Sequence, residues 1–508
     1  MTVIGHRGVP SEAPQNTLAG LRRAIALGLD YVELDLRATR DGKIVDIHNS
    51  TVDETTDGKG RVADLTLAEL RKLDAGSHFG PQFRGERIPL FAEELALAKG
   101  RIKLYLDVKD ADPLRVLALL EQFDMVGDAV FFCGPEQLAA LRAANRGVQM
   151  MPRLARAEDM PELARRLQPQ FVERGGGPLD EAAITAAHAH GAQYFLDIQG
   201  EGDTPEYVLA CLRAGVDGVQ TDHPVLVLDT LRQAGVVRPA PGPAPALPPV
   251  PGTRPDGRRV KLISHRGVNQ RAPQNTLAAT RESIALGLDF IEVDLRTTAD
   301  GLLVDIHNST VEGTTNGKGA VRELRYAQMR ALDAGSWFSP RFAAEHIPLL
   351  GEVLALARGR CGIYLDWKDA DPRPVVRLLQ EFDMASQVLV HADEETCRQV
   401  RALEPGVILL PGADGSEDIR HLARSLHPQA VELRWRHFTP EAVQECHRLG
   451  MLCATSLAGG RGDTREEMER AVAAGIQIIE TDQPDLLLEV LKAAPPSRRR
   501  ARPQPRSG

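Results

Sequence analysis

Residues 25–50 read IALGLDYVELDLRATRDGKIVDIHNS, and residues 284–309 read IALGLDFIEVDLRTTADGLLVDIHNS. Each stretch passes from a helical pattern through Gly-Leu-Asp into a short apolar run, crosses a polar turn, and ends a second short run at His-Asn. Glu33 and Asp35 stand two apart in the first run, so their side chains leave the same face of one strand. Outward from this stretch the likeness continues. HRGV, APQNTLA, IALGLD, VDIHNSTV and GKG occur within residues 3–60 and recur in the same order within residues 262–319. His6 to His265, Glu33 to Glu292, His48 to His307 and Asp107 to Asp366 are each 259 positions apart, and Asp222 to Asp482 is 260. A period this long marks duplicated whole domains, because solenoid repeats run to about 20–50 residues.

Within the first copy, β-rich runs at 3–5, 31–36, 44–47, 102–108, 129–132, 148–151, 171–172, 194–198 and 218–221 alternate with helical patterns such as 17–27 and 205–214. That alternation predicts an α/β fold made of two tandem TIM-type (β/α)8 barrels. The tally of nine strands exceeds the eight that close such a barrel, so one of the three runs between 129 and 172 is expected to lie outside it. Residues 49–101 break the rhythm and read as a small, mostly helical insertion after the third strand. The expected domains are 1–237 and 259–494, with a Pro-rich linker at 238–258 and a basic, solvated tail at 495–508.

The chain has 508 residues and a net charge of −9, which argues against nucleic acid as a main partner, since that footprint is basic. Six cysteines without a C-x-x-C pair predict buried thiols, neither a disulfide framework nor a zinc site. The opening Met1-Thr2-Val3-Ile4-Gly5-His6 reads as a first strand with no secretory leader. No run reaches the roughly 20 apolar residues of a membrane helix. The cytoplasm is the expected location.

In such a barrel, reactive groups gather at the C-terminal ends of strands. His6 and Arg7 follow strand one, Glu33 and Asp35 lie on strand two, His48 ends strand three, and Asp107 and Lys109 end strand four. Three convergent carboxylates with oxygen donors suit a hard divalent cation, Mg²⁺ or Ca²⁺, one per barrel. Arg7 and Lys109 supply charge for an anionic phosphate. Two imidazoles suit the proton exchange that splitting a phosphodiester requires. Other residues read less sharply. Asn16 and Asn275, ahead of Thr and a helical run, are expected to cap helices. Glu173 and Glu432 face the barrel mouth or pair at the core edge. Asp222 and Asp482 line the site or close the last turn.

The ordered set His-Arg-Gly, Pro-x-Asn-Thr, Glu-x-Asp, a strand-three His, Thr-Thr-x-Gly-Lys-Gly, Leu-Asp-Ala-Gly, Ile-Pro-Leu and Thr-Asp-x-Pro resembles the glycerophosphodiester phosphodiesterase family over nearly all of each copy. The resemblance implies a barrel of the phosphatidylinositol phospholipase C type, a catalytic divalent cation and release of glycerol 3-phosphate. Carried over by position, it makes His6 and His48 the acid/base pair, Glu33, Asp35 and Asp107 the metal ligands, and Arg7 and Lys109 the phosphate contacts. In the second copy these become His265 and His307; Glu292, Asp294 and Asp366; and Arg266 and Lys368. The chain departs from the family pattern at Gln15 and Gln274, where Glu is usual, at Asn49 and Asn308, where Asp follows the histidine, and at Asp107 and Asp366, each one methylene shorter than Glu. The Asp-x-Lys variant also resembles sphingomyelinase D-like toxins.

The leading expectation is a hydrolase of small glycerophosphodiesters such as glycerophosphocholine or glycerophosphoethanolamine. A lysophospholipase D-type activity and a non-catalytic phosphate-binding module are the alternatives.

Overall fold

The computed structural model describes residues 1–236, 260–436, 438–460 and 462–493. The expected linker and tail lie outside these residues. The chain divides into two compact units, Met1–Leu247 and Pro248–Gly508.

Unit one contains β1 (Thr2–Gly5), β2 (Tyr31–Ala38), β3 (Ile44–Asp46), β4 (Lys103–Val108), β5 (Ala129–Phe132), β6 (Gln149–Met150), β7 (Phe171–Arg174), β8 (Gln193–Asp197) and β9 (Gly218–Thr221). Around the sheet the order is β6-β5-β4-β2-β1-β9-β8-β7, with parallel neighbours throughout. A parallel bridge from Arg153 to Glu173 joins the chain beyond β6 to β7, so eight strands go round.

This corrects the strand assignment, since all three runs between 129 and 174 belong to the barrel. The extra strand is β3, which pairs antiparallel with β2 through Leu36–Asp46, Arg37–Val45 and Ala38–Ile44. Only residues 39–43 connect the two. A connection that short can reverse the chain but cannot make a parallel crossover, which takes a dozen or more residues.

Unit two repeats the plan with β10 (Lys261–Ser264), β11 (Phe290–Thr297), β12 (Leu303–Asp305), β13 (Gly362–Trp367), β14 (Val388–His391), β15 (Ile408–Leu409), β16 (Gly412–Ala413), β17 (Ala430–Leu433), β18 (Leu452–Ser456) and β19 (Ile478–Thr481). Here β15 pairs with β14 and β16 with β17. They are two parts of one segment, interrupted at Pro411, which has no N–H to donate.

The insertion has its own small core. In unit one Val45, Ile47, Val52, Val62, Leu67 and Leu70 pack together, and unit two repeats the cluster around Val304, Tyr326 and Met329. The helix Phe91–Ala98 falls inside the expected insertion but is not part of it. It packs on the helix Leu18–Leu27 and leads into β4, serving as the crossover that parallel β2 and β4 require.

Residues along β2 alternate inward, so Tyr31, Glu33 and Asp35 occupy successive layers of the barrel interior. At the lower layer Tyr31, Tyr105, Val130, Met151 and Phe195 close the bore with apolar contact. The acids stand above that plug. Unit two has Ile263, Tyr364, Leu389, Ala430 and Ala454 in the same place. All six cysteines are free thiols, five buried and Cys133 partly exposed. Among the described residues no helix is long and apolar enough to cross a membrane.

Candidate active site

The chain leaves β1 through a tight turn. Arg7 has φ 51° and Gly8 φ 99°, and a Cβ on Gly8 would lie 3.0 Å from the backbone of Gly20. This left-handed turn points the Arg7 amide at Glu33, whose Oε2 accepts its hydrogen bond at 2.8 Å. The Arg7 side chain runs across the mouth, donating through Nη1 to Gln15 Oε1 at 2.9 Å, with Nε 3.5 Å from Asp35 Oδ2. Lys109 Nζ lies 3.0 Å from Asp35 Oδ1 and also bonds Asp107.

One oxygen from each of Glu33, Asp35 and Asp107 falls within 4.8 Å of the others, and Glu292, Asp294 and Asp366 do the same in unit two. Burial, then the nearby Asp35 and Asp107, holds the Glu33 carboxyl well above its ordinary value. Burial also pushes Asp35 up, but Lys109, His48 and Arg7 together pull it below the usual carboxylate value. This all-oxygen donor set, with one acid that needs a further positive charge to ionise, fits a hard divalent cation.

The two histidines are each held through Nδ1. His6 Nδ1 meets Asp222 Oδ1 at 2.7 Å, and His48 Nδ1 meets Asn49 Oδ1 at 2.7 Å. Both partners are acceptors, so Nδ1 carries hydrogen and Nε2 is left as the ring's acceptor nitrogen. Arg37 braces the His48 carbonyl at 2.7 and 3.0 Å. Burial lowers the His48 pKa.

Unit two places its residues alike. His265 Nδ1 to Asp482 Oδ1 is 2.7 Å, and His307 Nδ1 to Asn308 Oδ1 is 2.9 Å. Arg266 donates through its amide to Glu292 Oε2 at 2.5 Å, and Lys368 Nζ sits 3.0 Å from Asp294 Oδ1 and 2.5 Å from Asp366 Oδ2. Burial opposes a charged His265, yet its hydrogen bond to Asp482 and the charge of Glu480 raise its pKa overall. Asp482 falls to about 2 despite its burial, through the His265 bond.

Asn16 and Asn275 do not cap helices. Thr17 and Thr276 do that, accepting from Gly20 N and Ala279 N. The Asn16 amide donates to Asp35 Oδ2 at 3.2 Å and to Asp46 Oδ1 at 2.7 Å, and Asn275 repeats this on Asp294 and Asp305 at 3.1 and 2.7 Å. Its left-handed backbone, φ 50° and 54°, turns the side chain inward and leaves the cap to the next residue.

Asp46 and Asp305 had no sequence signal as site residues. They lie beneath the site, each accepting from the backbone amide of Asp35 or Asp294 at 2.7 and 3.0 Å. Only the antiparallel pairing of β3 on β2, and of β12 on β11, brings them there. Glu173 and Glu432 face the mouth. Glu173 lies 3.3 Å from Arg153 Nε, and Glu432 accepts from Tyr364 Oη at 2.7 Å.

Residues 6–226 and 265–486 each match the glycerophosphoryl diester phosphodiesterase family. The glycerophosphodiester phosphodiesterase of Caldanaerobacter subterraneus subsp. tengcongensis is 31% identical over 242 residues, which is 46% of this chain and 97% of that protein. A putative glycerophosphodiester phosphodiesterase of Bacillus subtilis is 33% identical over 239 residues, 45% of this chain and 97% of its own length. Among solved structures, a glycerophosphodiester phosphodiesterase from Agrobacterium tumefaciens is 29% identical, covering 45% of this chain and 99% of that one, with a TM-score of 0.42. With both copies matched over almost their whole length, the chain belongs to the glycerophosphoryl diester phosphodiesterase family.

Proposed function

We propose that each unit is a metal-dependent phosphodiesterase that splits glycerophosphodiesters into glycerol 3-phosphate and an alcohol. The observation that carries this reading is the convergence, in each barrel, of three carboxylates within 4.8 Å, with a lysine and an arginine over them and two histidines whose Nδ1 atoms are already committed to acceptors.

Glu33, Asp35 and Asp107 would hold a divalent cation, and Glu292, Asp294 and Asp366 a second one. When bound, such a cation neutralises phosphoryl oxygens and stabilises charge that develops on them. Arg7 and Lys109, with Arg266 and Lys368, orient the phosphate. One histidine of each pair, His6 with His48 or His265 with His307, takes a proton from the attacking water as the new P–O bond forms. The other gives a proton to the departing alcohol oxygen as the old P–O bond breaks. Asp222 and Asp482 act through the histidine, keeping Nδ1 protonated and Nε2 turned to the substrate.

Purified protein assayed on glycerophosphocholine, with coupled detection of glycerol 3-phosphate, tests this. Chelation abolishes turnover and added Mg²⁺ or Ca²⁺ restores it. His6→Ala and His265→Ala each leave part of the activity, and the double variant leaves none. A double variant as fast as the parent overturns the histidine assignment.

A further inference from the structure

The two mouths use matching positions but differ in what they place there. In a parallel barrel the inward residue at the end of each strand forms a ring with its neighbours, and Asp107 is in register with Phe132 as Asp366 is with His391. Next round the ring, the first barrel has Arg153 and then Glu173, and the second has Gly412 and then Glu432.

Arg153 reaches across its mouth. Its guanidinium carbon lies 5.5 Å from the Phe132 ring centre, and its Nε lies 3.3 Å from Glu173. Gly412 has no side chain to do this, and a Cβ built there would sit 3.6 Å from His391 Cε1, in ordinary contact. A long side chain at 412 would therefore start over His391, as Arg153 lies over Phe132. Without one, a cavity of about 430 Å³ opens between His391, Gly412 and Glu432 and runs outward past Asp393, Asp414 and Asp418.

The walls of this cavity carry five carboxylates, those of Asp393, Glu394, Asp414, Asp418 and Glu432, against one arginine, Arg434, and two histidines, His391 and His421, the latter paired with Glu394 at 3.1 Å. Arg434 pairs with Asp414 at 3.3 Å, and Glu394 pairs with Arg398. Glu432 has Tyr364 Oη as its donor, with His391 Nδ1 3.9 Å away. At the first barrel's matching positions, Asp393, Glu394 and Asp414 are replaced by Gly134, Pro135 and Ala155. Arg434 stands where the first barrel has Gly175, and His421 where it has Glu162, so across the matching positions the carboxylates rise from three to five while the single arginine moves from position 153 at the strand end to position 434.

Resting on the phosphodiesterase reading above, we propose that the second barrel selects diesters whose alcohol bears a cationic amine, seated in this cavity. The first barrel selects diesters whose alcohol is an uncharged polyol, because Arg153 occupies the matching space and repels a cation. Gly412 and Arg153 are the specificity-determining residues. The reach is right, since His391 stands one strand, about 5 Å, from Asp366, roughly the span of a two-carbon amino alcohol.

The test uses the full chain with one barrel silenced at a time. Glycerophosphoethanolamine and glycerophosphoglycerol are compared by kcat/KM in His6→Ala, where the second barrel works, and in His265→Ala, where the first does. The ethanolamine-to-glycerol ratio is expected to be about tenfold higher in His6→Ala. Adding Gly412→Arg to His6→Ala brings that ratio down toward the first barrel's, and adding Arg153→Gly to His265→Ala raises it. Glu432→Gln in the His6→Ala chain keeps side-chain volume and lowers the ratio without filling the cavity, which covers the case of a poorly folded Gly412→Arg. Equal ratios in the two silenced chains, or variants that change both substrates by the same factor, overturn the selectivity while leaving the phosphodiesterase reading intact. No hydrolysis of either diester overturns both.

Discussion

Every histidine of the two pairs has its Nδ1 held by an acceptor. Asp222 and Asp482 directly follow the last strand of each barrel and bond the residue that follows the first, so each closes the barrel chemically as well as topologically. With His265→Ala silencing the second barrel, Asp222→Asn is expected to lower kcat by about 10- to 100-fold, with KM little changed and the pH profile shifted, because the amide stabilises an imidazolium less well. A fall in KM-dependent binding alone would assign Asp222 a merely structural role. Asn16 offers a second test. It is buried and bridges two acids, so Asn16→Ala removes a donor that both carboxylates use. Its loss is expected to cost about 1–3 kcal/mol, read as a lower melting temperature.

At the scale of elements, the antiparallel strands β3 and β12 explain why the acids hold their places. Asp46 and Asp305, at their ends, grip the backbone of β2 and β11 beside Asp35 and Asp294. Burial, and then the adjoining Asp35 or Asp294, pushes Asp46 up to about 7 and Asp305 to about 8. A carboxyl with a raised folded pKa binds its proton more tightly in the fold than in the unfolded chain. Its stabilisation is therefore complete below about pH 4 and is lost as pH rises through about 7 for Asp46 and about 8 for Asp305. Melting of the chelated protein from pH 4 to 8 is expected to show this decline. Asp46→Asn and Asp305→Asn, which keep an acceptor without the titration, are expected to flatten it.

Each of the two compact units carries its own cluster of three convergent acids. Calorimetric titration with Mg²⁺ or Ca²⁺ is expected to find two ions per chain. Asp35→Asn reduces this to one, and Asp35→Asn with Asp294→Asn removes both, since each exchanges a carboxylate ligand for a weaker neutral one. Bound ion raises the melting temperature by mass action, and the single variants lose part of that rise. A stoichiometry unaffected by either change would place the ions elsewhere.

Much of this was legible in residue order. The constant offset revealed the duplication, strand–helix alternation specified the barrel class, and the period of two put Glu33 with Asp35 and Asp107 with Lys109 on common faces. Those are local properties, carried by spacing and side-chain chemistry. What residue order could not convey was which runs are neighbours in space. The short hairpin at 39–43 made β3 an outrigger and returned all three runs between 129 and 174 to the barrel. It also delivered Asp46 beneath the site, 11 residues from Asp35 along the chain but bonded to its amide. The cavity beside His391 depends likewise on the end of β14 meeting the segment at Gly412, a pairing across chain with no local signature. Contacts of that kind are chosen by closure of the barrel, where burial of the whole sheet outweighs any local preference.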